Sequence, residues 1–246
     1  GGDGRGVAFR GTLIGRHGLL ERFDGLQIRI PKAVVIGTDV FEELVESVAD
    51  SHELEGVSDE AIVARMVTGN FDESLLRDLW RAFSNLKGPL AVRSSSVLED
   101  SRFQPFAGVY ATFMLPNNHA DENVRFQELL RAIKAVYASA FFAEAQHYLA
   151  GTPHDADDQK MAVVIQQVVG QAHGDRYYPT ISGVAQSYNY YPIGGQRADD
   201  GVVQLALGLG QTVVSGEVAL RVSPAAPTIL PQFPSASAFF AGSQRH

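Results

Sequence analysis

The sequence predicts an α+β protein, helix-rich in its first half and built of antiparallel strands in its second. Apolar residues recur at helical spacing in several stretches before residue 150, whereas after Lys160 they come in short β-branched runs. No internal repeat is present, and strands and helices do not alternate regularly enough for a doubly wound sheet. The 246 residues, 45% hydrophobic and 20% charged, suffice for a substantial core and exclude disorder, collagen and coiled coil.

The chain opens on Gly1, Gly2, Asp3, Gly4, Arg5 and Gly6, read as a loop entering a helix that carries Val7, Ala8, Leu13, Ile14, Leu19 and Leu20. Residues 26–30 and 33–36 read as short strands separated by Pro31. Thr38 then caps a helix with Val40, Phe41, Leu44, Val45 and Val48 on one face, and further helices are expected from Ser58 and over 72–86. Gly88 and Pro89 end the last of these. Residues 89–93 then read as a buried strand and 94–105 as a long polar loop.

Residues 109–115 alternate as a strand does, and 121–149 carry the longest helical pattern, with Leu129, Leu130, Ile133, Val136, Tyr137, Ala140 and Phe141 in its stripe. A polar acidic loop over 151–159 precedes a strongly strand-like run over 161–169. Strands continue over 181–191 and 202–207, with a turn at Gly194 and Gly195 between them. Beyond Val222 the prolines Pro224, Pro227, Pro231 and Pro234 mark a connecting arm. The organisation expected is therefore one domain over 1–222, with two subdomains dividing near 115–160, and an arm over 223–246.

Charge and cysteine content narrow the function. The balance of 20 Lys and Arg against 28 Asp and Glu leaves a net charge of -8, which argues against a surface for nucleic acid or anionic lipid. No apolar run approaches the roughly 20 residues of a membrane-spanning helix. With 0 cysteines, disulfide frameworks, zinc ribbons and thiol nucleophiles are excluded, and a cytoplasmic location is expected. The 7 histidines form no HExxH, and no GxSxG elbow supports a serine hydrolase. The chain starts without Met or a signal-peptide pattern, so it is expected to be part of a longer protein.

The chemistry concentrates around Arg93. An arginine ending an apolar strand keeps its charge, so it must meet anionic or carbonyl partners. Ser94, Ser95 and Ser96 follow with hydroxyl and N–H donors, and a phosphate chain would satisfy that corner, with Arg93 stabilising charge on a transferring phosphoryl group. Pairing of Arg93 with Glu99 or Asp100 at the surface is the alternative.

Phe106, Ala107 and Gly108 lead into a strand on which Thr112 shares a side with Gly108 and Tyr110. They read either as a ligand wall or as a plain turn. The glycines at the start could converge N–H groups on an anion, with Arg5, Arg10 and Arg16 as countercharge. Gln166 and Gln167 interrupt the aliphatic strand and reach opposite faces, so at least one could point inward and hydrogen-bond a base, the alternative being a glutamine of an edge strand. Gly208, Leu209, Gly210, Val213, Val214 and Gly216 form a second glycine-framed loop without the spacing of a P-loop or dinucleotide fingerprint.

Taken in order, the segments 92–96 with Glu99 and Asp100, Phe106 to Gly108 with Thr112, 165–169, Gly183 with Val184, and the loop from Gly208 to Gly216 resemble a known family. It is the nucleotide-binding domain of phosphoenolpyruvate synthase and pyruvate phosphate dikinase, to which rifampin phosphotransferases and starch-phosphorylating dikinases are similar. The resemblance extends from Gly1 to about Val222.

The resemblance implies an ATP-grasp-type domain that binds ATP with Mg2+ and passes a phosphoryl group to a histidine on a separate swivelling domain, then to pyruvate or another acceptor. It also implies that Arg93 contacts the ATP phosphates, that Gly108 and Thr112 lie in a lid over them, and that Gln167 and the Val168 backbone meet the adenine. Arg5 and Ser94 are further candidates at the phosphates.

Departures from the family pattern sharpen the expectation. Asp3 stands where the family's glycine loop carries a phosphate-binding lysine, which puts an anion near polyphosphate. The family's acidic metal pair and its phosphohistidine motif have no match before His246, so metal ligands, phosphohistidine and acceptor domains are expected outside this chain. The expected role is the ATP-binding part of a phosphotransferase, inactive alone. The alternative is a degenerate nucleotide-binding domain with a docking or regulatory role.

Overall fold

A four-stranded antiparallel sheet in the order β1-β4-β2-β3 organises the first part of the chain: β1 Ala33–Ile36, β2 Leu90–Ser96, β3 Thr112–Leu115 and β4 Met161–Gln167. The computed structural model describes residues 2–19, 22–48, 54, 56–96, 108–150, 160–210, 213, 219–229 and 235–237, without the side chains of 2–5, 7 and 8. The chain divides into two compact units, Gly1–Val168 and Val169–His246.

In the first unit, helices α1 Gly2–Arg16, α2 Thr38–Val48, α3 Asp59–Thr68, α4 Glu73–Phe83, α5 Glu122–Ala138 and α6 Ala143–Ala150 accompany the sheet. Their starts follow capping chemistry. Ser58 accepts from the Ala61 N–H, Asp72 from the Ser74 N–H at 2.8 Å and Asp121 from the Asn123 N–H at 2.8 Å, satisfying donors that have no partner within a helix.

Helical spacing brings Phe41 and Leu44 of α2, Ile62 and Met66 of α3, and Ile133, Val136 and Tyr137 of α5 into one core with Leu90, Val92, Val163 and Ile165 of the sheet. Trp80 meets the edge of Phe126 at 5.0 Å, locking α4 to α5.

Several elements differ from the expectations in ways the structure explains. The glycine-rich start lies within α1 and does not form a loop, so the i to i−4 ladder of the following residues outweighs the roughly 1 kcal/mol cost of each glycine. Residues 26–30 belong to no strand, and pairing begins only after Pro31, which lacks an N–H. β2 runs on through Ser94, Ser95 and Ser96, because β4 offers Val163, Ala162 and Met161 opposite them.

The expected helix over 121–149 breaks after Ala138 into a 3-10 turn, Ser139–Phe141, before α6 resumes. Ser139 Oγ donates to the Val136 carbonyl at 2.6 Å and accepts from the Ala111 N–H at 3.0 Å, so its hydroxyl serves a tertiary contact at the helix end. The loop joining α4 to β2 is held by Asn117, whose Nδ2 donates to the Gly88 carbonyl at 2.9 Å.

The second unit contains the hairpin β5 Gln171–His173 with β6 Arg176–Tyr178, and an antiparallel sheet of β7 Ile181–Gln186, β8 Val202–Leu207 and β9 Leu220–Val222. The turn expected between the longer strands is present, with φ of 62° at Gly194 and 87° at Gly195. β7 ends at Gln186, short of the expected 191. Beyond it Asn189 is buried, and its Oδ1 accepts from the Tyr191 N–H at 3.1 Å and from Arg221, which folds the segment back on itself. The two halves thus fit an α+β reading, helices dominating the first and antiparallel strands the second.

Candidate functional site

Strand register decides which candidate residues can act together, because residues paired across a sheet project from the same face. Arg93 pairs with Thr112 on one side and with Val164 on the other. The guanidinium and the threonine hydroxyl are therefore cross-strand neighbours. Ala91, Ser95, Ala162, Gln166, Ala33, Val35 and Met114 share their face by the same parity.

Leu90, Val92, Ser94, Val163, Ile165 and Gln167 lie on the opposite face, which packs into the helical core. The Arg93 face is closed over its centre, where Ser95, Ala162 and Val164 are buried. It is open at its margins, where Val35 and Met114 are 46% and 67% exposed and Thr112 is exposed as well. Helix α1 rests against β2.

Gly108 precedes β3 with φ of 88°, a conformation that suits glycine, and a Cβ there would meet nothing within 4 Å. It is exposed four residues before Thr112, so backbone bearing no side chain leads into the strand that carries the hydroxyl.

The other candidates sit differently. Ser94 is buried on the core face, away from Arg93. Gln167 also faces the core side; its Nε2 donates to the Lys87 carbonyl at 2.5 Å and its N–H to the Lys32 carbonyl at 2.9 Å. The N–H of Val168 donates to the Pro89 carbonyl at 2.9 Å. One glutamine of the pair thus turns inward to a backbone group, and Gln166 is the one on the Arg93 face.

Arg5 lies in α1, and its side chain is outside the described residues, as are Glu99, Asp100, Phe106, Ala107 and most of the segment from Gln211 to Gly216. Of the three serines expected beside Arg93, the two-residue periodicity leaves only Ser95 on its face, and sequence reasoning did not link Gln166 to Arg93, which the β4 register does.

Among the described residues no group of three or more His, Cys, Asp or Glu side chains could hold a metal ion. The donors on the Arg93 face are a guanidinium, hydroxyls and an amide, a set suited to an anion with several oxygen acceptors and unsuited to a hard cation. The side chains with resolved pKa displacements, Asp72 capping α4 and Lys134 and Tyr137 on α5, are not on this face. No described helix is long and apolar enough to cross a membrane.

An α+β module with an anion-suited sheet face is the class that fold and site define. Within that class, the model of the family described as pyruvate phosphate dikinase, AMP/ATP-binding domain, matches residues 15–229, and the chain belongs to this family.

Its relatives agree with the resemblance drawn from the motifs. The chain is 30% identical to a rifampicin phosphotransferase of Streptomyces sviceus over 83% of its own length and 23% of the relative's. It is 27% identical to the uncharacterized phosphotransferase YvkC of Bacillus subtilis, over 77% of this chain and 20% of that one. A phosphoenolpyruvate synthase of Aeropyrum pernix is 30% identical over 57% of this chain and 16% of its own. The chain therefore spans less than a quarter of the length of each of these relatives.

Proposed function

We propose that this chain is the ATP-holding part of a phosphotransferase, in which Arg93 and Thr112 grip the phosphates and the phosphoryl group passes to a histidine on another domain, then to an acceptor. The observation that carries the reading is the cross-strand pairing of half-buried Arg93 with exposed Thr112 of the edge strand, in a chain of the AMP/ATP-binding family. A guanidinium offers several donors in a plane and the hydroxyl one more, so together they meet adjacent phosphate oxygens and stabilise charge that develops during transfer.

Gly108 lets the chain approach the ligand closely in the turn before β3. In this reading adenine recognition falls to the Val168 backbone and the glutamine pair of β4, of which Gln166 shares the face of Arg93. Arg5 adds countercharge from α1.

Mg2+ accompanies ATP in the proposed chemistry, but the described residues provide no donor set that fits it, so no step is assigned to a metal here. ATP-grasp-type architecture and a cytoplasmic location belong to the same reading. The histidine and the acceptor, whether pyruvate, a glycan or an antibiotic, are assigned to the part of such proteins beyond the matched segment.

The test is calorimetric titration of ATP and ADP, with magnesium, into the chain and into its Arg93→Ala variant. Binding that is lost in the variant supports the reading, and a wild-type chain that takes up neither nucleotide overturns it in favour of a docking or regulatory role.

A further inference from the structure

On the Arg93 face of the sheet, the hydroxyl of Ser95 is buried without a hydrogen-bond partner. Ser95 is 1% exposed and its Oγ makes no hydrogen bond. A hydroxyl removed from water without a replacement partner destabilises the protein, and alanine would fill the same place on the strand without that cost. The serines on either side differ from it: Ser94 and Ser96 project to the opposite face and are both engaged within the protein.

Ser95 stands two residues from Arg93 on the same strand and the same face, about 7 Å along it. That span lets one polyphosphate meet both side chains. Its cross-strand neighbour Ala162 has no polar group to offer, and Val164 beside Arg93 has none either. A donor left open beside a cation, with apolar neighbours, is completed by an anion carrying several acceptor oxygens.

We infer that Ser95 is a phosphate-binding residue, its Oγ donating to the ATP phosphate chain that Arg93 contacts. The inference rests on the ATP reading above and adds a ligand to it. Since the hydroxyl has no accessible surface in the unliganded protein, the proposed contact requires the centre of the face to open when ATP binds. Ser94, one residue away, takes no part.

The test compares wild type with Ser95→Ala, Ser95→Cys, Ser94→Ala and Arg93→Ala by titration with ATP and with adenosine, alongside thermal melts of each unliganded protein. A hydrogen bond to a charged group predicts about tenfold weaker ATP binding for both Ser95 variants, with adenosine affinity unchanged. The melting temperature of unliganded Ser95→Ala should equal or exceed that of wild type, and Ser94→Ala should keep wild-type ATP affinity. The cysteine variant preserves volume in a protein with 0 cysteines, so it separates loss of the donor from loss of packing.

ATP affinity equal to wild type in both Ser95 variants overturns the inference while leaving the Arg93 reading standing. An equal loss for ATP and adenosine overturns the phosphate assignment. No ATP binding by wild type overturns the underlying reading and this inference with it.

Discussion

Replacing Tyr137 by phenylalanine should stabilise the protein, because its hydroxyl lies in the core with nothing to bond to. Tyr137 is 0% exposed on α5, its ring packs against Phe41 at a centroid distance of 5.4 Å, and its hydroxyl has no hydrogen-bond partner. A buried unsatisfied polar group costs about 1–3 kcal/mol, and phenylalanine keeps every ring contact. The variant should therefore gain about 1 kcal/mol, which is about 2–4 °C in melting temperature for a chain of this size.

The same burial, with the Asp39 charge as a lesser cause, raises the Tyr137 hydroxyl far above its ordinary value of 10.0. The unfolded chain gives up this proton first, so the stability held by the neutral hydroxyl is complete below about pH 10 and is lost as pH climbs above it. The advantage of Tyr137→Phe should accordingly widen in alkaline solution. Melts followed by circular dichroism near pH 7 and near pH 11 read both effects. A loss of more than about 1 kcal/mol near neutral pH would show that the hydroxyl has a partner, and would refute the reasoning.

Two further substitutions test the helical half. Lys134 donates from α5 to the Val67 carbonyl at 3.1 Å and the Gly69 carbonyl at 2.7 Å, at the end of α3, and lies 5.2 Å from the Phe71 ring centre. Lys134→Met keeps the stem but should cost about 1–2 kcal/mol in urea unfolding, and an unchanged midpoint would deny the lysine its capping role. A Cβ at Gly69 would come within 2.5 Å of Val48 Cγ2 and 2.7 Å of Leu44 Cδ1, so Gly69→Ala should cost about 1–3 kcal/mol by overpacking. A thermal melt that matches wild type would mean α2 and α3 yield there more easily than their packing indicates.

What the sequence made legible follows the range of the interactions involved. The run from Met161 to Ile165 reads as a core strand because burial on both faces calls for continuous β-branched and aliphatic residues, a requirement each residue meets locally. The apolar stripe of α5 was equally plain, but its end was not. The break at Ser139 depends on the Ala111 N–H, 28 residues away, and no local pattern encodes that partner.

Ser94 to Ser96 read as loop because three serines have no strand preference, and only pairing with β4 makes them strand. Arg93 could be singled out from its position after an apolar run. Its partnership with Thr112, the separation of Ser94 from Ser95, and the choice of Gln167 over Gln166 as the inward amide all required the register. The glycine-rich start misled for the opposite reason: local composition favours a loop there, whereas the cooperative helix carries through it.

The central claim is that ATP lies on the Arg93 face of the sheet, and amide hydrogen exchange with and without ATP and magnesium tests it most directly. ATP bound there should slow exchange over β3, an edge strand whose Thr112 opposes Arg93, with the effect abolished in Arg93→Ala. Protection confined to the second unit, or protection of β3 that survives Arg93→Ala, would contradict it.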